Sequence, residues 1–226
     1  MTNALSDATS TACDRPPELS PLDERLAENL RRRLALPLPG PRAQRRFETA
    51  LSYGRHCGPP LAGARPAAVA ILLYRHEREW RLPLTVRPAT MRWHAGQVSL
   101  PGGAIEQGES SGAAALRELF EELGVAIADT ELVGQLSALY LYNSHYVVQP
   151  WVAVATAAPS FSPSASEVAE LLEVPLTHLM DERNVGSHVR SHRGLVFTAP
   201  DWRVGRHRVW GATSMILSEL VALLGQ

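Results

Sequence analysis

One segment, PGGAIEQGESSGAAALRELFEELGV at residues 101–125, constrains this chain more than any other. It opens on Pro-Gly-Gly, reads as a helix over residues 110–123, and reaches Gly124 where a helix of this kind stops. At about 100° per residue, Leu116, Leu119, Phe120 and Leu123 form an apolar stripe at i, i+3, i+4 and i+7, so that face is expected to lie on a core. Glu118, Glu121 and Glu122 then fall together on the opposite side. Close like charges on a helix repel by about 0.2–0.5 kcal/mol per pair even when exposed. A hard divalent cation removes that cost, because Mg²⁺ and Mn²⁺ prefer oxygen ligands and bind carboxylates together with substrate phosphates. An isolated acidic pair is ordinarily a solvated face; here the surrounding spacing changes the reading.

The 226 residues suffice for one generous domain with an N-terminal extension, and 45% hydrophobic residues allow a sizeable core. Residues 1–18 are rich in Ser, Thr and Ala and read as a disordered tail. Leucines at 22, 26, 30 and 34 predict an amphipathic helix over residues 22–36, stopped by the prolines at 37, 39 and 41. Strands are expected over residues 67–74, 81–87, 132–141 and 146–155, a short helix over 167–173, and a final helix over 210–224. Strands flanking one central helix, closed by a terminal helix, predict an α/β sandwich with a mixed sheet.

Composition excludes several chemistries. The 22 basic residues are all arginines, so no lysine can hold a β/γ-phosphate in a P-loop or form a Schiff base. Anions must be bound by arginine forks, backbone N–H groups or metals. A net charge of −1 gives no reason to expect nucleic acid or a membrane surface as partner. Cys13 and Cys57 form no CxxC pair, which speaks for neither zinc nor a disulfide framework and suits a reducing compartment. With no apolar signal region and no run near the ~20 residues that span a bilayer, cytoplasm is the expected location. Residues 108–112 match G-x-S-x-G around Ser110, and Asp201 and His207 follow in triad order. That serine-hydrolase reading needs a strand directly before the serine, and PGGAIEQ is loop-like. No H-E-x-x-H occurs, so zinc peptidase chemistry has no support.

Gly103, five residues, Glu109, seven residues, then Arg117-Glu118-Leu119-x-Glu121-Glu122-x-Gly124-Val125 resembles the Nudix box at every specified position. The resemblance implies a Nudix-type α/β/α sandwich over residues 61–226, with residues 19–60 as an N-terminal helical extension. It implies a divalent-metal hydrolase of small nucleotides using Mg²⁺ or Mn²⁺. Glu118 and Glu122 would be the leading metal ligands, Glu121 a third, and the Gly103 carbonyl a further one. Arg117 would pair with Glu109 and fix the carboxylates in place. Glu109 would point away from the metal face if the helix reached it, so it is expected in the loop. Glu118 belongs to the catalytic cluster, and Glu121 or Glu167 would take the proton of the attacking water.

Upstream, residues 84–103 (LTVRPATMRWHAGQVSLPGG) resemble the signature of the coenzyme A pyrophosphatase branch. Thr85, Arg87, Arg92, Gly96 and Pro101-Gly102-Gly103 match in spacing. Leu100 replaces a phenylalanine, Pro83 stands where leucine is usual, and Pro88 replaces a small residue. Weaker similarities at residues 167–175 and 209–213 extend the resemblance over most of the chain. It implies cleavage of coenzyme A or acyl-coenzyme A to 3′,5′-ADP and 4′-phosphopantetheine, with Arg87 and Arg92 on phosphates and His94 and Gln97 adding hydrogen bonds. ADP-ribose, NADH or a dinucleoside polyphosphate are alternative substrates, and a non-catalytic binding module is the alternative outside enzymes. A homodimer stays open.

Overall fold

The computed structural model describes residues 21–52, 54–91, 94–192 and 194–225. The tail expected over residues 1–18 lies outside them. Two short helices, α1 (Pro21–Leu34) and α2 (Gly40–Gln44), precede β1 (Arg65–His76) and β2 (Glu79–Val86). Then come β3 (Val98–Ser99), β4 (Gly102–Ala104), α3 (Ser111–Leu123), β5 (Thr130–Gln135), β6 (Leu139–Leu141) and β7 (Tyr146–Ala155). The chain continues through β8 (Glu170–Pro175), α4 (Leu176–Met180), β9 (Val185–His192), β10 (Leu195–Val204), β11 (His207–Trp210) and α5 (Ala212–Leu224).

The main sheet runs β3-β2-β1-β7-β5, with β4 on β1, β6 on β7 and β8 on β2. β1 and β7 are parallel and the other pairings antiparallel, so the sheet is mixed. Side-chain alternation along β1 feeds a core on each face. Ala68, Ala70, Leu72 and Tyr74 pack against Ala114, Ala115, Leu119 and Leu123 of α3. Ala67, Ile71 and Leu73 join a second core with Leu30 of α1, Phe47, and Ile216, Leu217 and Leu220 of α5. The segment before β1 therefore packs into the same core as the sheet. β9, β10 and β11 form a separate antiparallel sheet, docked where Trp202 stacks on Phe47 at 3.9 Å and donates to the Leu179 carbonyl at 3.1 Å. No helix among the described residues is long and apolar enough to cross a membrane.

The structure corrects four sequence readings. Residues 167–173 are a turn followed by β8, not a helix, because Leu171, Leu172 and Val174 are drawn into pairing with β2. The strand expected over 132–141 is split into β5 and β6, with a register shift between Leu132 and Gly134. The last helix begins at Ala212, and Trp210 instead ends β11. Phe120, placed in the core by its spacing, is 54% exposed.

Candidate active site

Both ends of α3 are fixed by local chemistry. Ser110 has extended backbone and its hydroxyl accepts from the Ala113 N–H at 3.2 Å, a side-chain cap. Gly124 closes the helix at φ 71°, donating to the Phe120 carbonyl at 2.8 Å. The last carbonyls do not end in solvent. Those of Leu123 and Glu122 accept from the backbone of Ser162 and Ser164 at 2.8 and 2.9 Å. That anchors the loop after β7, which then rejoins the sheet where Ala169 donates to the Val86 carbonyl at 2.8 Å. Glu167 rides on this loop, close enough that its charge acts on both Glu118 and Glu122.

The helix is rotated from the orientation its apolar stripe suggests. Its buried face carries Ala115, Leu119, Glu122 and Leu123, while Phe120 and Glu121 face outward. A carboxylate can sit beneath the helix because donors await it. Glu122 is 2% exposed; one oxygen accepts from the Gly102 N–H at 3.0 Å and the other lies 3.3 Å from the Thr85 hydroxyl. Burial nevertheless pushes this carboxyl up to about 7, assisted by the charges of Glu118 and Glu167 and opposed by the Gly102 N–H and by Arg87. Glu118 is also raised, chiefly by burial and against the pull of Arg117. A Cβ on Gly103 would stand 2.6 Å from the Glu118 carboxyl carbon, so a side chain there would push that carboxylate from its place.

Arg117 organises the rim. Its five N–H groups reach both oxygens of Glu109 (2.9 and 3.1 Å), Glu118 (2.7 Å), Glu121 (3.0 Å) and the Ala104 carbonyl (3.1 Å). Glu109 lies in the loop before α3 and is held below the usual carboxylate range by the Arg117 guanidinium and the Glu106 N–H. Arg87 follows β2 directly. Its backbone brackets the turn at 94–97, donating to the Gln97 carbonyl and accepting from the Gly96 N–H, both at 3.0 Å. Its Nε is buried without a hydrogen-bond partner among the described residues, and its charge acts on Glu122. His94, at φ 59°, contacts the Gln97 side chain at 2.8 Å on the exposed surface. Arg92 lies outside the described residues.

Glu118, Glu122, Glu167, Gly103 and Arg87 thus come together, while Glu121 stands half-exposed on Arg117. Among the described residues no three His, Cys, Asp or Glu side chains already converge as a ligand cage. The serine-hydrolase arrangement dissolves: Ser110 caps a helix, Asp201 is buried with His188 and Arg208, and His207 bonds Glu170 instead. The sequence reading assigned no role to Thr85 or Gly102. A lone threonine among Leu82, Leu84 and Val86 in a buried strand is the signal that could have found the first.

The chain matches the NUDIX domain family over residues 64–191. It is 34% identical over 167 residues to the mitochondrial coenzyme A diphosphatase NUDT8 of Homo sapiens, covering 71% of each chain. It is also 34% identical over 140 residues to an uncharacterized Nudix hydrolase, NudL, of Photorhabdus laumondii, covering 62% of this chain and 74% of that one. Among solved structures it resembles RenU, a Nudix hydrolase from M. smegmatis. The TM-score is 0.50 at 15% identity, over 75% of this chain and 92% of the other, a likeness of fold.

Proposed function

The chain belongs to the Nudix family, and from that premise we propose that this hydrolase cuts the phosphoanhydride of coenzyme A or its acyl derivatives with a divalent metal ion. One observation carries the reading: Arg87, from the motif upstream of the box, has a buried Nε with no hydrogen-bond partner among the described residues, and its charge acts on the Glu122 carboxylate. An arginine so placed can hold a diphosphate against the acidic cluster. The similarity to a relative named as a coenzyme A diphosphatase supports the same substrate.

The residues present fit Mg²⁺ or Mn²⁺. Burial first, and the charges of neighbouring carboxylates second, raise Glu118 and Glu122, and the absence of a side chain at Gly103 lets the Glu118 carboxylate lie against that backbone. All-oxygen donors suit these hard ions. Glu118 and Glu122 would hold the metal, with the Gly103 carbonyl and Glu121 as further oxygen donors. Bound there, the ion supplies charge to offset the diphosphate and acidifies a water. Glu167 takes the water proton in preference to Glu121, because its charge reaches both Glu118 and Glu122 from a half-buried position while Glu121 stands exposed at the rim. Arg117 and Glu109 hold Glu118 in place. Arg87 and Arg92 bind the phosphates, and His94 and Gln97 line the approach. The enzyme would act in the cytoplasm on a soluble nucleotide.

The test is a panel of coenzyme A, acetyl-coenzyme A, ADP-ribose, NADH and a dinucleoside polyphosphate with Mg²⁺ or Mn²⁺, read by product identity. Release of 3′,5′-ADP and 4′-phosphopantetheine as the fastest reaction is expected. Faster turnover of ADP-ribose or NADH would overturn the substrate, and full activity in excess chelator would overturn the metal.

A further inference from the structure

A groove of about 470 Å³ opens between β8 and the turn joining β10 to β11. That volume is within the ~300–1,000 Å³ typical of small-molecule sites. One wall is β8 from Glu170 to Glu173; the other is Val204, Gly205, Arg206 and His207. β8 is an edge strand. β2 takes one side of it, and among the described residues no backbone group bonds to the other. Alternate residues of an edge strand turn their N–H and C=O groups outward, a template for any extended chain that carries amides. Four residues of strand offer roughly 10 Å of such edge.

Position and charge select what can enter. The groove begins at Glu170, which is in register with Val86, the residue before Arg87, and lies three positions beyond Glu167. Arg206 and His207 are engaged by the Glu170 carboxylate at 2.5 and 3.0 Å, and the far end carries Glu173, which accepts from the Tyr74 hydroxyl at 2.5 Å. Two carboxylates with the local cations already paired repel phosphate, whereas Arg87 attracts it. For a ligand whose diphosphate lies at Glu118, Glu122 and Glu167, a groove that starts three residues beyond Glu167 and is flanked by Glu170 and Glu173 favours an uncharged arm over a further phosphate.

We propose that this groove binds the pantetheine arm of the substrate, its two secondary amides pairing with the open edge of β8 as an added strand would, and its thiol or acyl end directed toward Glu173. The assignment rests on the coenzyme A reading above. Two measurements test it. Val204→Trp, which fills the groove, should weaken inhibition by 4′-phosphopantetheine at least tenfold while inhibition by 3′,5′-ADP moves less than twofold. In the wild-type protein, 4′-phosphopantetheine should slow amide hydrogen exchange at least tenfold at outward-facing positions within 170–173, a result independent of how the variant folds. If the wild type cleaves coenzyme A but those amides gain no protection, or the Val204→Trp protein folds and responds to 4′-phosphopantetheine as the wild type does, the groove assignment is wrong and the substrate reading stands. If the wild type does not cleave coenzyme A, both fall together.

Discussion

Two glutamates on two helices are equally buried and differently served with donors. Glu219 on α5 is 0% exposed and meets three neutral donors: the Gly40 N–H at 3.1 Å, the Gln44 amide at 2.9 Å and the Ser137 N–H at 3.2 Å. It ties α2 and the β5–β6 connection to the last helix, and its lone pairs are well served. Glu122 on α3 is 2% exposed and has one backbone N–H, a long contact to Thr85 and two other carboxylates as neighbours. Burial alone therefore says nothing about function. The balance of donors against like charges separates a carboxylate whose lone pairs are satisfied within the fold from one left short of donors.

The contrast breaks first at turnover. Glu122→Gln should keep its fold and lose activity by about three orders of magnitude, since a neutral amide is a poor ligand for a hard cation; steady-state rates on coenzyme A measure this, and a loss under tenfold would contradict it. Glu219→Ala should do the reverse. It strands three donors, each worth about 1–3 kcal/mol when left unsatisfied, so denaturant melts should show a loss of at least about 3 kcal/mol while the protein that remains folded keeps its kcat.

Stability against pH sharpens the difference. Glu122 is raised from 4.5 to about 7, so between those values the metal-free native state holds a proton that the unfolded chain has released. Stability should consequently fall as pH rises from below 4.5 to above 7, by on the order of 3 kcal/mol at one unit per 1.36 kcal/mol. Thermal melts of metal-free protein should show that decline, Glu122→Gln should flatten it, and saturating Mg²⁺ should offset it. A decline of equal size in the Gln variant would assign it to another group. The smallest effect is at Phe120. Being 54% exposed, it should cost under about 1 kcal/mol on truncation to Ala, whereas Leu119→Ala, fully buried, should cost about 2–5 kcal/mol.

Phe120 also marks the limit of what the sequence can say. The helix and its glycine stop were legible, because each is set by local spacing. Which face of α3 turns inward was not. Apolar periodicity favoured Phe120, but the partners that draw Glu122 beneath the helix, Gly102 and Thr85, come from strands 20 and 37 residues away. β8 was misread for a related reason: a short Leu-rich run carries no period of its own, and pairing with β2 decides its state. The small sheet of β9, β10 and β11 left no distinct signal, since its order depends on the packing of Trp202 against Phe47.

On the proposed reading, Glu122 is buried without enough donors because a divalent cation completes its site. Mn²⁺ binding to metal-free protein, followed by electron paramagnetic resonance at pH 8, tests it directly across wild type, Glu122→Gln and Glu219→Gln. Wild type and the Glu219 variant should bind Mn²⁺ alike, with affinity reduced at least tenfold in the Glu122 variant. Equal affinity in the Glu122 variant and the wild type would contradict the account.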